Sequence, residues 1–161
     1  LANVARVNPA ATVVRAESPV TLLEGPDLAG ARVLVVEDGP TVTHGGMPYG
    51  AGTVAAEQAG AGAIVDPRPH AVGSIRDVYA AYPHLGAVLP AMGYGADQLA
   101  DLAATIEATP CDVVVAGTPV DLGGLVSVSH PIRRVSYELR ELGEPTLADA
   151  LAPLVRRFKG G

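Results

Sequence analysis

Cysteine occurs once, at Cys111, so no disulfide can form within the chain. That suits a reducing compartment, and a cytoplasmic location is the expectation. Tryptophan is absent and Phe158 is the single phenylalanine, which leaves the core to Val, Leu, Ile and Ala. Those residues build parallel strands buried on both faces, which read as unbroken aliphatic runs. Lysine is confined to Lys159 and the net charge is -6, which argues against a broad nucleic-acid surface, since that needs excess cations to neutralise phosphates. The remaining basic side chains besides histidine are arginines, whose planar fork suits bidentate contact with carboxylate or phosphate. No apolar run approaches a membrane span, and no charged leader precedes one. Three catalytic signatures are missing as well: GxxxxGK[ST], HExxH and GxSxG. A self-contained P-loop, a helix-borne zinc site and a serine elbow are thereby disfavoured.

What is present centres on Arg32 to Gly52, RVLVVEDGPTVTHGGMPYGAG. Val33 to Val36 read as a buried strand, and Glu37 and Asp38 stand where it would reach its carboxyl end. Open α/β sheets bind ligands in the crevice beyond those ends. The following loop carries Gly45, Gly46, Gly50 and Gly52, and glycine lets backbone N–H groups come close to a phosphate. Within it His44 and Tyr49 are candidates for phosphate contact, with His44 also fit for acid–base work. Glu37 and Asp38 are candidate ligands for Mg²⁺, a hard ion that takes one or two carboxylates and leaves its other positions to water and phosphate. The bland alternative is an ordinary strand end followed by a turn.

The remaining chain alternates regularly. A helix around Thr53 to Ala59 leads to a short strand, Ala63 to Val65, whose end carries Asp66 and Arg68. Ser74 reads as the cap of a helix over Ile75 to Tyr82, with Asp77 three residues on. A third strand at Ala87 to Leu89, a helix marked by Leu99, Leu102 and Ile106, and a fourth strand at Val113 to Ala116 follow. Thr118 and Asp121 come directly after it and are candidate nucleotide contacts. Residues 132–140 alternate among charges, so they predict an edge strand. Thr146 with Asp149 caps a last helix whose Leu147, Leu151, Leu154, Val155 and Phe158 are expected to face the core. The order predicts an α/β fold, a three-layer Rossmann-like sandwich with a mainly parallel sheet. Asp38 with His44, Asp66 with Arg68, Tyr94, and Thr118 with Asp121 are expected along one rim.

The strings VLVVEDGPTVTHGGMPYGAG, IVDPRPHAVGSI, VLPAMGYG, DVVVAGTPVDL and RRVSYEL resemble the carboxyl-terminal portion of the cyclic 2,3-diphosphoglycerate synthetase family of GTPase-like P-loop proteins. The resemblance implies ATP-driven closure of an intramolecular phosphoanhydride with Mg²⁺ as helper. It also implies a main nucleotide site, for ATP or GTP, on an amino-terminal NTPase domain upstream of Leu1. Residues 1–30 then read as the trailing segment of that domain plus a linker, and residues 31–161 as the Rossmann-like domain. His44 and Arg68 would be the catalytic pair, with Arg68 holding a small phosphorylated or carboxylate substrate. Gly45, Gly46, Tyr49, Gly50, Thr118 and Asp121 would contact the cofactor. The first thirty residues could instead pair with a second copy of the chain, as a homo-oligomer. A non-catalytic binding or assembly domain is the alternative reading.

Overall fold

A computed structural model describes residues 1–159. In chain order the elements are helix α1 (Ala2–Val7), strands β1 (Ala16–Glu17), β2 (Val20–Leu22) and β3 (Arg32–Asp38), and helices α2 (Gly39–Thr43) and α3 (Ala51–Gln58). Strand β4 (Ala63–Ile64), a 3-10 turn Arg68–His70, helix α4 (Ser74–Ala81), strand β5 (Leu89–Ala91), helix α5 (Ala96–Ala108) and strand β6 (Val113–Gly117) follow. The last are helix α6 (Leu122–Leu125), strands β7 (Ile132–Tyr137) and β8 (Arg140–Glu141), and helix α7 (Leu147–Lys159). They form two compact units: Val20–Tyr137, and the chain ends, Leu1–Pro19 with the segment from Glu138. No helix among the described residues is long and apolar enough to cross a membrane.

The larger unit is a six-stranded, mostly parallel sheet in the order β2-β7-β6-β3-β4, with β5 also paired to β3. Val33 to Val36 are fully buried because β3 has partners on both sides and helices on both faces. β-Branched side chains suit such a doubly covered pleat. Leu34, Val36, Val114 and Ala116 look one way and meet Ile75, Leu102 and Ile106. Val33, Val35, Val113 and Val115 look the other way and meet Ala55, Ala56 and Leu28. A period of 2 thus splits the aliphatic runs between two cores, which gives the expected Rossmann-like sandwich.

Two details differ from the sequence reading. Residues 132–137 are not the edge: β7 lies between β6 and β2, with Val20 opposite Tyr137 and Leu22 opposite Val135. Charges on this strand mislead because Arg133 bends back to donate from Nε to Leu23 O at 2.8 Å and from Nη1 to Pro26 O at 2.7 Å. Ser74 is not a cap either. Gly73, at φ +51, takes that position, and the Ser74 N–H and hydroxyl both donate to Asp101, at 2.8 and 2.7 Å. The shift tethers α4 to α5.

The chain ends form a two-stranded antiparallel pairing of β1 with β8. Thr146 and Asp149 cap α7 reciprocally, as read from sequence: the Thr146 N–H and hydroxyl donate to Asp149, and the Asp149 N–H donates back. The apolar face of α7 departs from expectation. Leu147, Leu151, Leu154 and Val155 are exposed and Phe158 is 82% exposed, so the helix contributes no core residues to its unit. Amphipathic spacing shows that a face is apolar and says nothing of what covers it.

Arg32 fastens the opening of β3 to that of β6. Its N–H and Nη2 donate to Asp112, at 2.8 and 2.7 Å, and Nε at 3.2 Å. These bonds hold the Asp112 carboxyl down at about 2. A depressed carboxyl pKa stabilises the fold above the ordinary value near 4 and ceases to do so as pH falls toward 2. Acid unfolding followed by circular dichroism should therefore show a stability loss across that window in the parent protein. In Asp112→Asn this part of the loss should be missing.

Candidate functional site

From β3 the chain passes to β4 and β5 on one side and then returns to β6 on the other. The reversal between β3 and β6 is the topological switch point, where open α/β sheets bind ligands beyond their carboxyl ends. Register brings those ends level, with Glu37 opposite Gly117 and Asp38 opposite Ala91. The loops after β3, β5 and β6 therefore emerge at one rim, as expected. The loop after β4 does not join them in register. β4 pairs only with Arg32 and Val33, so Asp66 leaves the sheet well before the end of β3.

Glu37 occupies the crevice itself. Its carboxylate is 1% exposed and accepts from the N–H groups of Gly50, Gly52 and Thr53 at 3.0, 3.1 and 2.8 Å, and from the Thr53 hydroxyl at 3.0 Å. These amides begin α3, whose first turn would otherwise leave donors without partners. The side chain is an internal anion at a helix N-terminus. Burial pushes its carboxyl pKa up, against the pull of those donors. The glycines follow from this packing. A Cβ at Gly117 would lie 2.4 Å from Glu37 Oε2 and 2.5 Å from the Gly52 nitrogen, and one at Gly50 would lie 2.7 Å from Oε2.

Glu37, expected as a Mg²⁺ ligand, forms the latch between β3 and α3, with Oε1 accepting three of the four bonds and Oε2 one. The Gly50 N–H, expected at a phosphate, donates to Glu37 in this structure. Gly45 and Gly46 close the end of α2: their N–H groups donate to Pro40 O and Thr43 O at 3.3 and 3.4 Å, and Gly46 stands at φ +64. The glycine loop therefore serves close packing and chain reversal.

Asp38 keeps a place on the rim. It is half-buried and caps α2, with Oδ2 accepting from the Thr41 N–H at 3.2 Å and hydroxyl at 2.6 Å. His44 and Tyr49 are exposed in the same loop. The His44 Nδ1 lies 3.1 Å from the Thr43 hydroxyl, and its ring is 6.4 Å from that of Tyr82. His84 places Nε2 at 2.8 Å from Val42 O. Thr118 is buried and accepts from the Val120 N–H at 3.4 Å, whereas Asp121 is exposed beside Arg134 at 3.7 Å. Arg68 is locked to Asp66, with Nε and Nη2 donating at 2.8 and 2.7 Å. That pair holds the Asp66 carboxyl below the usual range. Among the described residues no group of three or more His, Cys, Asp or Glu side chains is placed to hold a metal ion.

The site residue that sequence reading left open is Arg134. It lines a cleft of about 260 Å³ with Leu23, Pro119, Val135, Ser136 and Tyr137. The structure places it opposite Ala116, one residue short of the end of β6.

Fold and rim together define a Rossmann-like α/β domain whose switch-point crevice is filled by its own carboxylate. The chain is 54% identical over 149 residues to arginine synthetase ArcE of Thermococcus kodakarensis, an alignment that covers 92% of this chain and 33% of that relative. The chain thus spans about a third of the length of the curated relative it matches. No family model matches, and no solved structure matches. The resemblance to cyclic 2,3-diphosphoglycerate synthetase is overturned by this relative, which aligns along nearly the whole chain and carries another name.

Two substitutions test the latch. Glu37→Gln turns an amide nitrogen toward backbone donors and should cost about 1–3 kcal/mol in urea unfolding, the range for an unsatisfied buried polar group. Gly117→Ala should cost about 1–3 kcal/mol by overpacking. Either variant unfolding at the parent's urea midpoint would remove Glu37 from the centre of the fold.

Proposed function

We propose that this chain is an α/β domain of a ligase-type enzyme of the arginine-synthetase kind, coupling arginine formation to a nucleoside triphosphate. The 54% identity along 92% of the chain carries the reading. The domain forms one wall of the active site, and the main nucleotide site belongs to the rest of such an enzyme. Ligase chemistry driven by phosphoryl transfer depends on positioning and on electrostatic stabilisation of the transferred group.

The groups free to act are on the rim rather than in the crevice. Asp38 supplies one carboxylate to Mg²⁺, which needs no more than one or two and takes water and phosphate oxygens for the rest. His44 and Tyr49 project from the loop after α2 and contact phosphate. Gly45 and Gly46 shape that loop, and Thr118 sets the turn that carries Asp121. Arg68 is already matched by Asp66, so its part is indirect: it orders the turn after β4.

A second reading, a binding or assembly domain without catalytic groups, draws on one observation. The Gly50 and Gly52 amides that would cradle a phosphate are committed to Glu37. Calorimetric titration with ATP and GTP, with and without Mg²⁺, separates the two. Under the first reading binding depends on Mg²⁺, and Asp38→Asn weakens it about tenfold, or about 1.4 kcal/mol. Binding indifferent to Mg²⁺ and to Asp38→Asn would favour the second.

A further inference from the structure

Thr43, the last residue of α2, shares its hydroxyl between two partners. The oxygen lies 2.8 Å from Gly39 O and 3.1 Å from His44 Nδ1. A carbonyl oxygen only accepts, so the single hydroxyl hydrogen goes to Gly39, the turn-back bond that threonine commonly makes within a helix. Toward the ring the hydroxyl has lone pairs alone. The hydrogen between Thr43 and His44 is therefore the ring's own, carried on Nδ1. In a neutral imidazole one nitrogen donates and the other accepts, so Nε2 keeps its lone pair.

The two residues divide the work of holding and presenting. Thr43 is 5% exposed, which leaves its hydroxyl little solvent with which to exchange partners. The His44 backbone is fixed as well, with its N–H donating to Pro40 O at 2.9 Å. The ring itself is exposed, and Nε2 is the nitrogen farther from the backbone. His84, whose ring also lies near that of Tyr82, is set the other way. Its Nε2 is 2.8 Å from Val42 O, an acceptor, and so carries the hydrogen.

We propose that Thr43 is a positioning residue that holds neutral His44 as the Nδ1–H tautomer, so that Nε2 stands at the rim as an acceptor for the proton of a substrate N–H or O–H group. In that transfer the proton moves to Nε2 and the bonding pair stays on the donor atom, the work of a general base. The ring then donates from both nitrogens, from Nδ1 to Thr43 and from Nε2 to a phosphate oxygen. A lone pair would repel that oxygen, so proton uptake precedes the phosphate contact. The order of these two events rests on the proposed function, whereas the tautomer does not.

Nitrogen-15 NMR of the 161-residue chain reads the tautomer directly. Neutral His44 should show a protonated Nδ1 and an unprotonated Nε2, the reverse of what free histidine prefers in water. Thr43→Val removes the acceptor and should return His44 to a predominance of Nε2–H, and Thr43→Ser should restore Nδ1–H. His84 should read Nε2–H in all three proteins, a selectivity that misfolding would not produce. Nε2–H on the parent's His44, or an unchanged tautomer in Thr43→Val, would overturn the proposal. A second measurement reads the lone pair by its reactivity. Diethyl pyrocarbonate acylates an accessible, unprotonated ring nitrogen: Nε2 attacks its carbonyl carbon, and the departing ethyl carbonate takes up the Nδ1 proton and breaks into carbon dioxide and ethanol. Peptide mass spectrometry should find His44 acylated in the parent, more slowly in Thr43→Val, and at the parent's rate in Thr43→Ser. No acylation of His44, or equal rates in the parent and Thr43→Val, would also overturn the proposal. Both measurements are made without nucleotide, so they decide the role of Thr43 whatever the titration of Asp38→Asn shows.

Discussion

The Glu37 carboxylate facing the first turn of α3 is the interaction on which the sheet's functional end depends. A buried carboxylate without partners would cost several kcal/mol, and would take up a proton instead of staying charged. Here four donors converge on it, three of them backbone amides that a helix N-terminus leaves over. Helix and strand each satisfy what the other would otherwise bury unsatisfied. The contact spans residues 37 to 53, so the whole intervening loop is closed by it and its ends are fixed in space. The absence of Cβ atoms at Gly50, Gly52 and Gly117 is what lets α3, β3 and β6 approach closely enough for it to form.

This latch redirects the chemistry. In many α/β domains the helix following the first strand presents its N-terminus to a ligand phosphate. In this chain an internal carboxylate holds that place, and an anion entering the crevice would have to displace a charge already bonded four times. The polar side chains exposed or half-exposed at this end stand to the sides of the latch: Asp38, His44 and Tyr49 after β3, and Asp121 and Arg134 beyond β6 and in β7.

Much of the scaffold could be read from residues alone, for a physical reason. Val33 to Val36 and Val113 to Ala116 are aliphatic without interruption, and only strands covered on both faces tolerate that. β5 was placed two residues early, since Leu89-Pro90-Ala91 has a proline inside it. Proline has no N–H to give and fits there because β5 pairs only with β3. Between Glu37 and Asp38 the choice of inward side chain was partly legible, because Glu37 falls in phase with Val33 and Val35 on the α3 face. Its partners were not, since they lie 13 to 16 residues on and, apart from the Thr53 hydroxyl, are backbone amides. The place of β7 was misread because a charged side chain that hydrogen-bonds back to a neighbouring loop looks, in sequence, like one that points to water. The fate of α7 was hidden for the opposite reason, as its spacing is strongly amphipathic but no described residue of its unit buries that face.

The correction of family follows the same division. The longest of the strings that suggested another synthetase, VLVVEDGPTVTHGGMPYGAG, consists largely of residues whose duties are structural: the buried valines, Glu37, the α2 cap at Asp38, the chain reversal at Gly46 and the close approach at Gly50 and Gly52. Such residues are constrained by packing whatever reaction takes place at the rim. A likeness carried by them speaks for the scaffold, and substrate choice is a property of the few side chains that face outward from it. Asp38, His44, Tyr49, Asp121 and Arg134 lie outside that packed scaffold, at its rim.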